Sequence, residues 1–375
     1  MVAAALLSHV LGHFGVWDVL GENTRLYLRL FSRGATPGLL ILFGFMIELV
    51  YVRHAKQKGF SFSIQRMMYR VILCYLAFIL IASIGFLTGL GSLRSFLGNF
   101  LLVSPAINAN IFAIYFFVLL LMMPIIAVRL RFGVNALLAI VSAVWLVDSL
   151  ALTPLGSPFA YSSDTLEYLA NFFVGVGDSW GPSIFHSLTV TLFGMVLSNA
   201  FVERSRKSLS RLAVFAGLAF FIVCLEISKI GWITFLGNIA DYTAYRAHNS
   251  IVFYAYGILF SLTLMLLAWS LNKILFSVIR HPVTYLGART FLYFLLGNMI
   301  LTAFPRTISI DLLTALLIFV LLTSLCYALI KLWEAKFHHW TPVAETRRMM
   351  LTTSSYLTKV LLGIQTKVIS ATTRG

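Results

Sequence analysis

The chain has 375 residues, of which 60% are apolar and only 11% charged, and its mean hydropathy is +0.92. A soluble domain carries roughly 25% charged residues, so the composition excludes a water-soluble enzyme of this length and points to a membrane bundle. The net charge of +15 would suggest nucleic acid in a soluble protein. Here the basic residues stand between apolar runs, where the preference for cationic loops in the cytoplasm accounts for them, and nucleic acid is set aside as a partner.

A bilayer core of about 30 Å takes roughly 20 helical residues to cross. Apolar runs approaching or exceeding that length fall near 2–17, 36–52, 69–90, 109–128, 133–152, 183–202, 211–228, 250–271, 285–304 and 310–332. They predict an all-α, polytopic transmembrane helix bundle of about ten spans over 1–332, followed by a basic tail at 333–375. The first run is short and lacks the charged n-region of a signal peptide.

Charge alternates between the runs. Arg53, Lys56, Lys58, Arg66 and Arg70 follow the second run, and Arg129 and Arg131 follow the fourth. Arg204, Arg206, Lys207 and Arg211 follow the sixth, and Lys273, Arg280 and Arg289 the eighth. The segment 153–182 holds Asp164, Glu167 and Asp178 with no Lys or Arg. That pattern places both termini in the cytoplasm. The segment 18–35 dissents, because Arg25, Arg29 and Arg33 then lie outside, as either a topology error or a functional basic patch. In the tail, Leu357, Val360, Leu361, Ile364 and Val368 recur at helical spacing, which predicts an amphipathic helix on the inner leaflet lipids. Cys74, Cys224 and Cys326 each sit inside an apolar run, giving neither a disulfide framework nor metal-ligand spacing. No metal or tightly bound cofactor is indicated.

Ionisable groups inside spans are costly and therefore functional candidates. On the predicted topology they divide into two layers. His9 or His13, Asp148, His186 and Glu226 lie near the outer ends. Glu48, Arg66, Arg70 and Arg289 lie near the inner ends, and Asn298 lies mid-span. Histidines and carboxylates suit acid–base chemistry, whereas arginines suit phosphates. A phosphorylated donor from the cytoplasm and an acceptor hydroxyl near the outer face would use both layers. Each group also has a structural alternative. His186 can bond a neighbouring helix, Arg66 and Arg70 can snorkel to lipid phosphates, and Glu48 can pair with an inner arginine.

Several weak motifs in order resemble the acyltransferase-3 type of integral membrane acyltransferase, closest to its periplasmic glucan succinyltransferase branch. They are GHFG around His13, FGF at 43–45 within the second run, RMMYR at 66–70, NANIFAIYFFVLLLMMPI at 108–125, WGPSIFHSLTVTLFGMVLSNAF at 180–201, and HPVTYLGARTFLYFLLGNMIL at 281–301. The family's first-span arginine, about eleven residues before the histidine, falls on Val2 if His13 is the counterpart. What the resemblance implies is transfer of an acyl group, succinyl in that branch, from cytoplasmic acyl-CoA to a hydroxyl of an extracytoplasmic glycan or glucan. It also implies a multi-pass location in the bacterial inner (plasma) membrane. His13, with His9 as its rival, would be the general base. Arg66, Arg70 and Arg289 would bind the CoA phosphates, and Arg33, Asp148, His186 and Arg246 would stand on the acceptor side. Two other classes share the same features: a transporter or flippase for a lipid-linked or acidic solute, and a non-catalytic scaffold of glycan assembly.

Overall fold

A computed structural model describes residues 1–147, 164–176, 182–271, 274, 276–304, 309–337 and 341–372. Among these, all regular structure is helical. The chain runs through α1 (Val2–His13), α2 (Glu22–Lys58), α3 (Phe60–Leu87), α4 (Leu93–Phe100) and α5 (Asn110–Phe132). It continues through α6 (Val134–Val147), α7 (Asp164–Val174), α8 (Ile184–Glu203), α9 (Arg206–Ile230) and α10 (Trp232–Ala240). The last helices are α11 (Ile251–Leu271), α12 (Ser277–Ala288), α13 (Thr290–Ala303), α14 (Leu312–Lys336) and α15 (Thr341–Thr372).

Among the described residues seven helices, α2, α3, α5, α8, α9, α11 and α14, are long and apolar enough to cross a membrane, and an eighth span forms if the pair α12–α13 counts as one. That is fewer than the ten read from hydropathy. At 1.5 Å per residue, the 12 residues of α1 extend only about 18 Å, and the described part of α6 is also short. The run at 285–304 is not a straight span: α12 and α13 meet at 91°. Arg289 stands at this corner and reaches Glu334 on α14 with two short bonds of 2.6 and 2.9 Å.

The helix starts are written locally. Ser92, Ser183, Ser205 and Asp311 each accept from backbone N–H groups of the first turn of α4, α8, α9 and α14, which satisfies donors that a helix start leaves open. The centre of the bundle is α8, with 16 of its 20 residues buried, including Ser187, Thr189, Thr191 and Ser198. Lipid is as apolar as leucine, so close packing, more than water exclusion, joins helices in a bilayer. Small residues permit it here. A Cβ on Gly44 would overlap the Thr191 carbonyl, and one on Gly194 would overlap the Ile41 carbonyl, so α2 and α8 cross backbone to backbone. The periphery is the converse. Along its length α9 buries only the stripe Ser208, Phe215, Ala219 and Val223, while Val214, Phe220 and Phe221 face outward. An apolar exterior of this extent suits acyl chains.

Contacts fix the two ends of the bundle. At one end Thr88 Oγ1 donates to Thr302 O, Ile310 N donates to Phe14 O, and Arg33 Nε donates to Ala240 O. At the other, Ser63 Oγ donates to Tyr51 O and Ser354 Oγ to Gln65 O. This second end carries the basic turns at 53–58 and 204–206. The tail helix α15 packs on α3 there with Ser354 and Thr358 buried and Leu357 against the core, while Val360 and Leu361 face outward. The side chains of Ile364 and Val368 lie outside the described residues.

Candidate functional site

A cavity of about 530 Å³ opens within the end opposite the basic turns, inside the size range of small-molecule sites. Its polar wall consists of His9 from α1, Thr36 from α2, Ser95 and Asn99 from α4, Asn108 and Asn110 at the start of α5, and Arg246. Phe86, Phe96 and Phe294 supply aromatic surface, the first two stacked at 4.7 Å.

Each wall residue is placed by its own neighbours. His9 is held by Asn298 on α13: its Nδ1 lies 2.6 Å from Asn298 Oδ1. The amide is oriented from behind, because Asn298 Nδ2 donates to Phe294 O at 2.8 Å. That leaves the amide oxygen facing the ring, so His9 Nδ1 carries the proton and Nε2 is the basic nitrogen. Asn108 has a left-handed backbone (φ 59) and donates to Thr302 Oγ1 at 3.3 Å. Asn110 Oδ1 accepts from Ala106 N at 2.9 Å, and Ser95 shares a hydroxyl bond of 2.9 Å with Ser104. These bonds brace the connection between α4 and α5 as a wall. Arg246 ends a π-helical stretch, Tyr242–Arg246, and its charge acts on His9 across the cavity.

The residues expected from the sequence are distributed as follows. His9 lines the cavity, whereas His13 is buried one turn further on, edge-on to Phe14 at 4.9 Å, and does not line it. Arg246 lines the cavity. Arg33 donates to the last carbonyl of α10, at Ala240. His186 is fully buried inside α8, with Nδ1 2.8 Å from Ser183 Oγ and its ring stacked on Tyr254. It belongs to a buried network in which Asn249 Oδ1 accepts from both Ser183 N and Tyr254 Oη. Asp148 lies outside the described residues.

The three arginines assigned to the donor do not all meet one partner. Arg66 lies over the Phe62 ring at 5.3 Å, Arg70 lies beside the Tyr51 hydroxyl, and both are exposed on α3. Arg289 grips Glu334 bidentately and stacks on Tyr285 at 3.9 Å. Of the remaining membrane carboxylates, Glu48 is buried against Arg129 with bonds of 2.6 and 3.2 Å, and Glu226 accepts from Tyr245 Oη at 2.8 Å. The dissenting arginines at 25 and 29 tie down the start of α2, Arg25 to Leu20 O and Arg29 over Trp17.

Sequence reasoning missed Ser95, Asn99, Asn108 and Asn110. Their signal was a stretch with three Ser and three Asn, 91–110, at the junction of two apolar runs; non-helical backbone at bilayer depth survives only when buried in protein or lining a cavity. No family model matches the chain, and no curated protein or solved structure matches it either.

Proposed function

We propose that the chain is a multi-pass membrane O-acyltransferase that moves an acyl group from acyl-CoA to a hydroxyl of a glycan on the opposite side of the membrane. The observation that carries this reading is His9, held from behind by Asn298, in the wall of a largely apolar cavity within the helix bundle. A histidine with Nδ1–H tied to an amide oxygen presents Nε2 as a proton acceptor, the role a general base needs. The resemblance to the acyltransferase-3 type supports a first-helix histidine in that role, and the cavity favours His9 over His13 for it.

In this reaction the acceptor hydroxyl attacks the thioester carbonyl while His9 Nε2 takes its proton. Arg246 faces the charge that develops on the carbonyl oxygen. Collapse of the tetrahedral intermediate breaks the C–S bond, and the departing thiolate recovers the proton from His9. The products are the glycan ester and free CoA. The end rich in Lys and Arg is the cytoplasmic one by the positive-inside rule, with both termini there. In this scheme Arg66 and Arg70, both exposed on α3, hold the CoA phosphates. Arg289 contributes less in this scheme, since a phosphate would compete with Glu334 for its guanidinium.

The test uses purified protein in proteoliposomes with radiolabelled acyl-CoA and a glucan acceptor. His9→Ala is expected to lower transfer by about 10²–10⁴-fold, the usual weight of a general base, with the protein still monodisperse. If wild-type proteoliposomes carry glycan across the membrane without acylating it, and His9→Ala stops that passage, the chain is a transporter.

A further inference from the structure

We propose that α15 is a docking surface for anionic phospholipid in the leaflet at the basic end of the bundle. Arg348 and Lys359 meet the lipid phosphates, and Met349, Tyr356 and Val360 enter the boundary between headgroups and acyl chains. The helix has 32 residues, about 48 Å of length, yet it is too polar to count among those able to cross a membrane. One face is spent on the protein. Ser354 and Thr358 are buried there, Ser354 Oγ donates to Gln65 O, Thr358 Oγ1 donates to Ser354 O, and Leu357 packs against the core. Away from that face, Met349, Tyr356 and Val360 recur at spacings of seven and four and are 65%, 67% and 42% exposed. Arg348 and Lys359, also exposed, stand eleven residues apart, about three turns, so they share one edge between the seat and this stripe.

The surrounding charge selects the occupant. Glu345 is the only acidic residue in 341–375, against five Lys and Arg. Among the described residues neither Arg348 nor Lys359 makes an ion pair. The bond to Gln65 seats α15 beside the segment 53–70, which holds five Lys and Arg and no Asp or Glu. Within it Lys58 and Arg66 stand over one ring, each 5.3 Å from the centre of Phe62, and Phe62 neighbours Gln65 at i,i+3 on α3. The basic edge of α15 thus continues a cationic rim. An apolar stripe bordered by cations suits a helix lying in a membrane interface, Tyr356 brings an apolar ring with a polar tip, and anionic headgroups supply the countercharge. The sequence pattern of the tail gives Leu357 to lipid; the structure gives it to the core and turns a neighbouring stripe outward. A second copy of the chain offers poor countercharge, since at this end Glu48, Glu203 and Glu334 are engaged by Arg129, Asn199 and Arg289. This surface stands apart from the acyl-transfer reading.

The experiment is native mass spectrometry of the full-length protein in detergent, read at its tightest lipid site. The probes are dioctanoyl phosphatidylglycerol, dioctanoyl phosphatidylcholine and glycerol 3-phosphate, the last a phosphate without acyl chains. One Lys or Arg beside an anionic surface contributes about fivefold in affinity. Phosphatidylglycerol is therefore expected to bind at least about tenfold more tightly than either other probe. Arg348→Gln combined with Lys359→Gln should bring it down to the level of phosphatidylcholine, and Tyr356→Ser should weaken both lipids. Arg66→Gln combined with Arg70→Gln should leave the preference in place. All four charged positions are exposed, so these changes spare the packed face of α15. Equal binding of the two lipids, equal binding of glycerol 3-phosphate, or a preference that survives Arg348→Gln with Lys359→Gln would overturn the inference. A preference lost only with Arg66→Gln and Arg70→Gln would overturn it by assigning the anion to α3. A dimer that Tyr356→Ser dissolves would overturn it by assigning the stripe to a second copy.

Discussion

His9 and His13 are separated by one helical turn and look equivalent in the sequence. The partner on α13 distinguishes them: Asn298 meets His9, and its own amide is pinned by the Phe294 carbonyl. Asn298→Leu should therefore leave His9 in the cavity but release its tautomer. Lower kcat with little change in KM for the acceptor is the expected outcome in steady-state transfer assays. An unchanged kcat would show that the amide does not position the ring. A second residue-scale prediction concerns the Glu48–Arg129 pair, both partners under 10% exposed. Removing one partner of such a pair leaves an uncompensated buried charge, at a cost of about 3–5 kcal/mol. Arg129→Met should lower the melting temperature in detergent sharply, and adding Glu48→Leu should recover most of the loss. From sequence, Glu48 already had an inner arginine as a candidate partner. That the partner is Arg129, 81 residues away, is a tertiary fact.

At the scale of elements, the crossing of α2 and α8 depends on two hydrogen atoms where any other residue has a Cβ. Gly194→Val would drive side-chain atoms into the Ile41 carbonyl and the Phe45 amide. No monodisperse protein is expected by size-exclusion chromatography. Gly217→Ala on α9 is the control, since a Cβ there meets nothing within 4 Å. It should be neutral or stabilise by up to about 1 kcal/mol through helix propensity. The start of α14 gives a pH signature. Bonds from the Thr314 hydroxyl and the Thr314 and Leu313 amides hold the Asp311 carboxyl below the ordinary carboxylate range. A depressed pKa in the folded state means stabilisation that is complete above the unfolded value, about 3.9, and lost as pH falls through the lower folded value. Thermal unfolding should thus show Asp311→Ala less stable than wild type at neutral pH, with the gap closing below about pH 3.9. The helices themselves were legible because long apolar runs are local signals. Their lengths and the corner at Arg289 were not, because α2 continues well beyond its apolar run at both ends and the partner Arg289 meets at the corner, Glu334, lies 45 residues on.

For the whole molecule, the charge pattern of the sequence suggested two levels of polar chemistry. The inner arginines nevertheless divide among Phe62, Tyr51 and Glu334. Much of the cavity wall comes from 91–111, a segment that hydropathy alone reads as connection. Sequence reading found His9 and Asn298 because titratable or polar groups in apolar runs stand out, and Arg246 through the family resemblance. It passed over Asn99 and Asn108 because an uncharged amide between runs looks like any loop residue. The central claim is that His9 activates an acceptor hydroxyl for acylation in this cavity. Its most direct measurement is transfer of radiolabelled acyl from acyl-CoA to glucan by proteoliposomes of wild type, His9→Ala and His13→Ala. Transfer by wild type, its loss in His9→Ala, and its survival in His13→Ala are expected. Full transfer by His9→Ala, or none by a well-folded wild type across several acyl-CoA donors, would contradict it.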